Sequence, residues 1–432
     1  MTDSAETSRK TFLNISSFQV LIMFRRGLFY SYLSIYLRFF LGLSVTETTF
    51  FASFPMVVNV LFQTFVWGVI SDKYQKRRTL ILLGEAAAAI ITFLVWYVHT
   101  LPESTYAAGY VIIIGLTVVE VFWSMSNVAW SALISDLYPE HRRTDIQGKL
   151  FSIGAAGRII GVWIGGLAYD GLGRYYEGWG FDKGLLFFVA SAVMLLSMIP
   201  MFFVPEGGAA AGMTAGVRSG IPGPIKGMAR YSKRFLMFLI ALTLINFGRN
   251  SVAITRSQYL VLDEGFDVSS RLLSYIVNMQ SVAGVVMGLL MGRLSKRYSD
   301  STLLQFGALA SALSLVIYVF ARVLGPIFVA DFLAGGAHVV ILASSYTYAS
   351  RLIPPEHRGR QFALYNATLF LSWGIAGTLI GGPIIDFLIK SGRSQAFAYQ
   401  MAFLAGAVLV VIGMAWFSLV DRMEDPPPAS GR

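Results

Sequence analysis

A few ionisable residues lie inside long apolar stretches, and they carry whatever chemistry this chain can do. A charge at mid-bilayer costs roughly 2.5–3.5 kcal/mol even on lenient scales, so each is a candidate functional group. Arg26 and Arg249 occupy equivalent places in two similar segments. Phe24, Arg26, Ser34, Tyr36, Leu37, Gly42 and Val45 reappear as Phe247, Arg249, Ser257, Tyr259, Leu260, Gly265 and Val268. A guanidinium is a planar fork that grips a carboxylate or phosphate with two hydrogen bonds. The two arginines therefore suit a clamp on a small organic or phosphorylated anion. Internal pairing with Glu120 or Asp331 competes with that role on equal terms.

Proton coupling needs a group whose pKa burial or a neighbouring charge can move into the working range. Glu120 is the first candidate and His338 the second, with Asp331 on the same stretch as His338. Glu120, Ser124, Asn127 and Ser131 recur at helical spacing and draw one polar stripe. Asp331, Gly335, His338 and Ser345 do the same, Asn246, Arg249 and Arg256 fall near one helix face, and Arg26 shares a face with Tyr30. Solute contacts are thus expected from Arg26, Tyr30, Asn127, Asn246, Arg249 and Arg256. Glu85 is expected to pair with the basic loop beside it, and Arg158 either to serve the cavity or to reach Asp136 in a structural role, the second being favoured. Tyr32, Tyr36, Trp123, Trp130 and Tyr259 are expected to be packing residues more than walls.

The elements that must hold these groups are membrane helices. Of 432 residues, 55% are hydrophobic and 13% charged, where a soluble domain carries about a quarter charged. The apolar residues come in blocks long enough to cross a hydrocarbon core. About twelve spans follow, the first near 12–40, the sixth near 184–204, the seventh near 235–262 and the last near 395–420. Arg25 and Arg26 spoil the first block as a cleavable signal, so it reads as a retained helix.

With no cysteine and only four His, disulfides and Cys-ligated metals are excluded, and no metal site or cofactor is expected. The net charge of +10 does not call for nucleic acid, because Lys73, Lys76, Arg77, Arg78, Arg142, Arg143, Lys149, Arg293, Lys296 and Arg297 fall in loops of one side. The positive-inside rule makes that side, with both termini, cytoplasmic. No phosphate-cradling loop, nucleophile elbow or metal-binding His pair is present, so an enzyme is not expected.

The chain also repeats itself. Pro139-Glu140-His141-Arg142 recurs as Pro355-Glu356-His357-Arg358, and the same offset carries Gly161, Gly165, Gly166 and Asp170 onto Gly377, Gly381, Gly382 and Asp386. The Gly-, Ala- and Pro-rich stretch after Pro205 reads as a linker. The expected organisation is all-α: an N-terminal six-helix bundle (1–204), a cytoplasmic linker (205–234), and a C-terminal six-helix bundle with a cytoplasmic tail (235–432). Two parallel repeats are the architecture in which a central site alternates its access.

With these features the sequence resembles the major facilitator superfamily of secondary transporters. The strongest local signal is Gly68-Val-Ile-Ser-Asp72-Lys73-Tyr-Gln-Lys76-Arg77-Arg78, which is similar to the loop that latches the halves in that family. The resemblance implies a conformational latch at Gly68, Asp72, Lys73, Arg77 and Arg142. Gln75 stands where the family has a small Gly, and the second copy has Lys296 in place of Asp, so the first half should dominate.

The ladders Gly157, Gly161, Gly165 and Gly377, Gly381 allow helices to approach at backbone distance. The first ladder resembles a drug/proton antiporter signature, but Val162 stands where that signature has Pro and the fourth span lacks its Arg. The resemblance further implies one cavity lined by the first, fourth, seventh and tenth spans, and its phosphate exchangers place one Arg on each of the helices that carry Arg26 and Arg249 here. It implies a monomer in a bacterial inner membrane, working as symporter or antiporter with a proton as coupling ion. Two other readings stay open: proton-driven efflux of amphipathic or cationic drugs through Glu120, and a sensor or assembly protein that no longer transports.

Overall fold

A computed structural model describes residues 2–138, 140–173, 176–208, 232–353 and 358–423, and it contains no strand among them. In chain order the helices are α1 (Thr2–Ile35), α2 (Val45–Phe62), α3 (Gly68–Tyr74), α4 (Arg77–His99), α5 (Thr105–Leu137), α6 (Glu140–Tyr169), α7 (Trp179–Asp182) and α8 (Leu185–Phe202). They continue as α9 (Lys233–Asn250), α10 (Thr255–Val261), α11 (Ser270–Arg297), α12 (Asp300–Phe320), α13 (Leu324–Leu352), α14 (Arg358–Ala376), α15 (Gly382–Lys390) and α16 (Gln395–Asp421). Wide π turns at Gln63–Trp67 and Gly377–Gly381 join α2 to α3 and α14 to α15. Serines open many helices by accepting a backbone N–H, at Ser44, Ser104, Ser232, Ser299 and Ser394; each such cap stabilises by about 1 kcal/mol.

Among the described residues, eleven helical segments are long and apolar enough to cross a membrane, against the twelve expected from the sequence. The difference is α1, whose apolar stretch carries Arg25 and Arg26.

The chain packs as two compact units, Met1–Arg218 with Ile254–Val285, and Ser219–Ala253 with Val286–Arg432. In the first unit, α6 lies against α1 at backbone distance. A methyl group added to Gly157, Gly161 or Gly165 would come within 2.4 Å of the Val20 carbonyl oxygen, 2.0 Å of that of Phe24 or 2.6 Å of that of Leu28. Nothing larger than hydrogen fits there.

Hydrogen bonds tie α10 and the start of α11 into the same unit. Gln258 Nε2 donates to the Ser34 carbonyl at 3.2 Å and to Thr48 Oγ1 at 2.9 Å, Asn278 Nδ2 donates to the Ile159 carbonyl at 3.1 Å, and Ser270 Oγ donates to Asp170 at 2.9 Å. In the second unit α9 packs on α16, where a methyl on Gly248 would meet the Gly406 carbonyl at 2.5 Å, while one on Gly381 would meet the Ser251 carbonyl at 2.0 Å. Gly377 is buried in the π turn before α15.

The stretch assigned to a linker begins as part of the first unit. Glu206 accepts from Thr79 N and Thr79 Oγ1, both at 3.0 Å, and pairs with Arg78 at 3.2 Å. Residues 209–231 lie outside the described ones.

Candidate functional site

Each unit holds its own arginine-centred cluster. In the first unit, α1 presents two arginines to α5. Arg25 is buried, Arg26 is half-buried, and their guanidinium carbons lie 4.6 Å and 4.1 Å from the centre of the Trp123 ring. A cation over an indole face gains up to about 2 kcal/mol when water is excluded. Two carboxylates answer the two cations. Glu120, one turn before Trp123, accepts a short hydrogen bond from Asn59 Nδ2, and Asn59 Oδ1 accepts from Gln63 Nε2 at 2.6 Å. Glu85 on α4 is fully buried and accepts from Ser126 Oγ at 2.8 Å. Glu120, Glu85 and Arg25 are the charged neighbours of Arg26, so the four side chains sum to zero net charge.

Glu85 therefore does not serve the basic loop. Gly84 brings α4 to within touching distance of the α5 backbone, with a methyl there 2.8 Å from the Phe122 carbonyl, and this turns Glu85 toward the arginines. The loop's own cation goes elsewhere: Arg77 donates to the Ser71 carbonyl and hydroxyl and reaches Asp136 Oδ2 at 3.4 Å. Arg158, a second candidate partner for Asp136, instead donates to Ser281 Oγ.

In the second unit, Arg249 Nε donates to Asn246 Oδ1 and Arg249 Nη1 to His338 Nδ1, each at 2.9 Å. Arginine has no acceptor, so the bonded Nδ1 of His338 is unprotonated and its ring neutral, with the proton on Nε2. Among the described residues no carboxylate pairs with Arg249, and its electrostatic neighbour is the neutral Tyr365. Tyr365 in turn shares a 2.8 Å hydrogen bond with Ser345.

Other expected residues scatter. Asp331 is fully buried and accepts from Tyr318 on α12, whereas His338 on the same helix is exposed, so their shared spacing does not give a shared surface. Arg256 is buried on α10 in the first unit, while Asn246 and Arg249 belong to the second. The cause is the turn at residues 251–254, which breaks the helix and with it the phase relation across the seventh span. On α5, Ser124 is fully buried and bonds the Val121 carbonyl, whereas Glu120 and Asn127 are half-buried and Ser131 is exposed. Tyr30 stacks on Phe51 with ring centres 6.5 Å apart.

Of the expected latch, Gly68 begins α3, Lys73 is exposed beside Tyr74, and Arg77 is the buried knot just described. The side chains of Asp72 and Arg142 lie outside the described residues. Gln75 adopts φ 52°, the left-handed region that a glycine enters without penalty.

The sequence alone assigns no cavity role to Arg25, Glu85, Asn59 or Gln63. The doublet Arg25-Arg26 is the available signal, since residues about 100° apart on a buried helix cannot both leave the core.

A family profile described as the Major Facilitator Superfamily matches residues 15–375 and 238–432. The chain belongs to this family and is an integral membrane protein. It is 21% identical to an uncharacterised MFS-type transporter, YxiO of Bacillus subtilis (strain 168), over 399 residues that cover 88% of this chain and 87% of that protein. A 169-residue match, 26% identical, links it to the human solute carrier family 2, facilitated glucose transporter member 12; it covers 38% of this chain and 24% of that protein's length. Among solved structures, the nucleoside transporter NupG superposes with a TM-score of 0.76 at 13% identity, covering 96% of this chain and 100% of that one. A bacterial homologue of the human lysosomal transporter Spinster, inward-facing, gives 0.71 at 16% identity over 96% and 97%. These likenesses show the fold alone.

Proposed function

We propose that the protein carries a small organic or phosphorylated anion across the membrane by alternating access, coupled to protons, with Arg249 as the anion-binding group. One observation carries this reading: Arg249 is a half-buried cation whose partners are neutral, Asn246 and His338. A guanidinium held in this way keeps its Nη2 hydrogens for a ligand, and an anion is the ligand that restores charge balance. Arg26 is different in kind, because Glu120 answers it. We assign that pair to proton coupling, with Tyr30 and Asn127 beside it as polar contacts for the solute.

The test is uptake by purified protein in liposomes, with carboxylate and phosphate-ester panels and an imposed pH gradient. Arg249→Gln should lower flux at least about 30-fold, the equivalent of roughly 2 kcal/mol lost from a charge-assisted contact. Arg249→Lys should recover part of it. Glu120→Gln should retain solute exchange but lose accumulation driven by the pH gradient. Wild-type flux in Arg249→Gln, together with Glu120-dependent efflux of a cationic dye, would replace this reading with drug efflux.

A further inference from the structure

We infer that Glu85 is a second proton-binding carboxyl of the first unit, buried behind Glu120 with Arg25 as its counter-ion. Its purpose rests on the proton-coupled reading above; its existence does not.

Arg25 and Arg26 from α1 face the indole ring of Trp123, and both are charged neighbours of Glu85 on α4 and of Glu120 on α5. Tyr30 on α1 adjoins them, and its phenol stays neutral near neutral pH. α8, which also packs on α4, contributes no titratable residue. α2 supplies only the amide Asn59, and the π turn after it the amide Gln63. Arginine keeps its proton throughout the accessible pH range, so any proton the cluster gains or loses is held by a carboxyl. Among the described residues of the cluster only two carboxyls are present.

Their surroundings differ. Glu120 is half-buried and bonded by an amide N–H. Glu85 is fully buried, with Oε1 held by Ser126 and Oε2 making no hydrogen bond. On the other side of the pair, buried Arg25 has Nε and Nη2 without hydrogen-bond partners. A carboxylate and a guanidinium that are both buried, yet not locked together by a fork of hydrogen bonds, form a loose ion pair. Loose pairs lose the geometric advantage that offsets desolvation. Protonating Oε2 leaves Arg25 the Trp123 ring face and the remaining carboxylate, Glu120, so the cation is not stranded, and the proton can later return to Glu120. The Ser126 bond persists in both states because Oε1 accepts in each. A tightly bidentate pair would instead hold the carboxylate ionised permanently.

Trp123 makes the site readable. Its ring faces both guanidinium groups at 4.6 Å and 4.1 Å, so a change in the charge balance around Glu85 acts directly on the indole.

The experiment is infrared difference spectroscopy of the full-length protein in lipid, stepped from acid to alkaline buffer, with no solute added. A carbonyl-stretch band of a buried carboxylic acid should titrate in the wild type. It should vanish in Glu85→Gln and persist in Glu120→Gln. Ser126→Ala, which removes only the hydrogen bond to Oε1, should shift that band in frequency without abolishing it, and this variant guards against an effect of misfolding. Trp123 fluorescence, taken as the difference from Trp123→Phe, should follow the same titration in the wild type and lose it in Glu85→Gln. A spectrum in which no band is lost in Glu85→Gln, one in which the only loss occurs in Glu120→Gln, or no titrating buried carboxyl in the wild type would each overturn the assignment. Because no solute is present, these outcomes are separate from any failure of the anion-transport reading, which is decided by flux through the Arg249 variants.

Discussion

Arg26 and Arg249 are repeat mates in the sequence, yet the two units surround them with opposite chemistry. In the first unit, two arginines and two glutamates balance around an indole. In the second, one arginine rests on an asparagine and a histidine, with no acid answering it among the described residues. The internal repeat preserves the place of a cation more faithfully than its partners. A compensated cation is part of the unit's own structure. A cation left with neutral partners retains its charge for a ligand.

That contrast fixes an order of stabilities. Arg25→Gln should be the most damaging change, because it strands the buried carboxylate Glu85; breaking one side of a buried pair costs about 3–5 kcal/mol. The double variant Arg25→Gln/Glu85→Gln should regain most of the loss, and thermal unfolding of the detergent-purified proteins measures both. If the double variant is as unstable as the single, the two residues do not interact. Arg26→Gln should cost less, about 1–2 kcal/mol, since Arg26 is only half-buried and the carboxylate that loses its counter-charge, Glu120, is itself half-buried and keeps its bond from Asn59. Arg249→Gln should change stability by less than about 1 kcal/mol while removing anion flux, because no buried carboxylate is left behind. A large stability loss in Arg249→Gln would erase the distinction between the two clusters.

Much of this was legible in the residues. Span positions followed from apolar blocks, and Gly157, Gly161 and Gly165 stand out in the residues because spacing of small residues along one helix is a local property. Gly161 against the Phe24 carbonyl is the plainest instance. What failed were inferences needing phase across a break or knowledge of which neighbour faces a side chain. Arg256 shares a helical phase with Arg249 only if the helix is continuous, and residues 251–254 form a turn. Asp331 lies on the stripe with His338, but Tyr318 on another helix claims it. Glu85 follows the basic loop closely in sequence, and only the near approach of Gly84 to α5 shows why it turns inward. Local pattern sets what a helix is; the partner of a buried charge is set by helices remote in sequence.

A third charged group sharpens the comparison, because it brings like charges together. Glu177, in the turn before α7, has Asp170, Asp263 and Asp267 as its charged neighbours among the described residues. Partial burial, and then repulsion from these three, push its carboxyl above the ordinary carboxylate range. The folded protein therefore holds this proton more tightly than the unfolded chain. By linkage, the contribution to stability is fully present below the ordinary carboxylate pKa and is lost as pH rises through the elevated folded value. Glu177→Gln, which cannot ionise, should match the wild type in acid and unfold at a slightly higher temperature at neutral and alkaline pH. The effect should be the smallest of the set, because the residue keeps an exposed face and water screens its charge. Unfolding temperatures of both proteins across a pH series decide it. Parallel curves would mean that the four acids are too well solvated to act on one another.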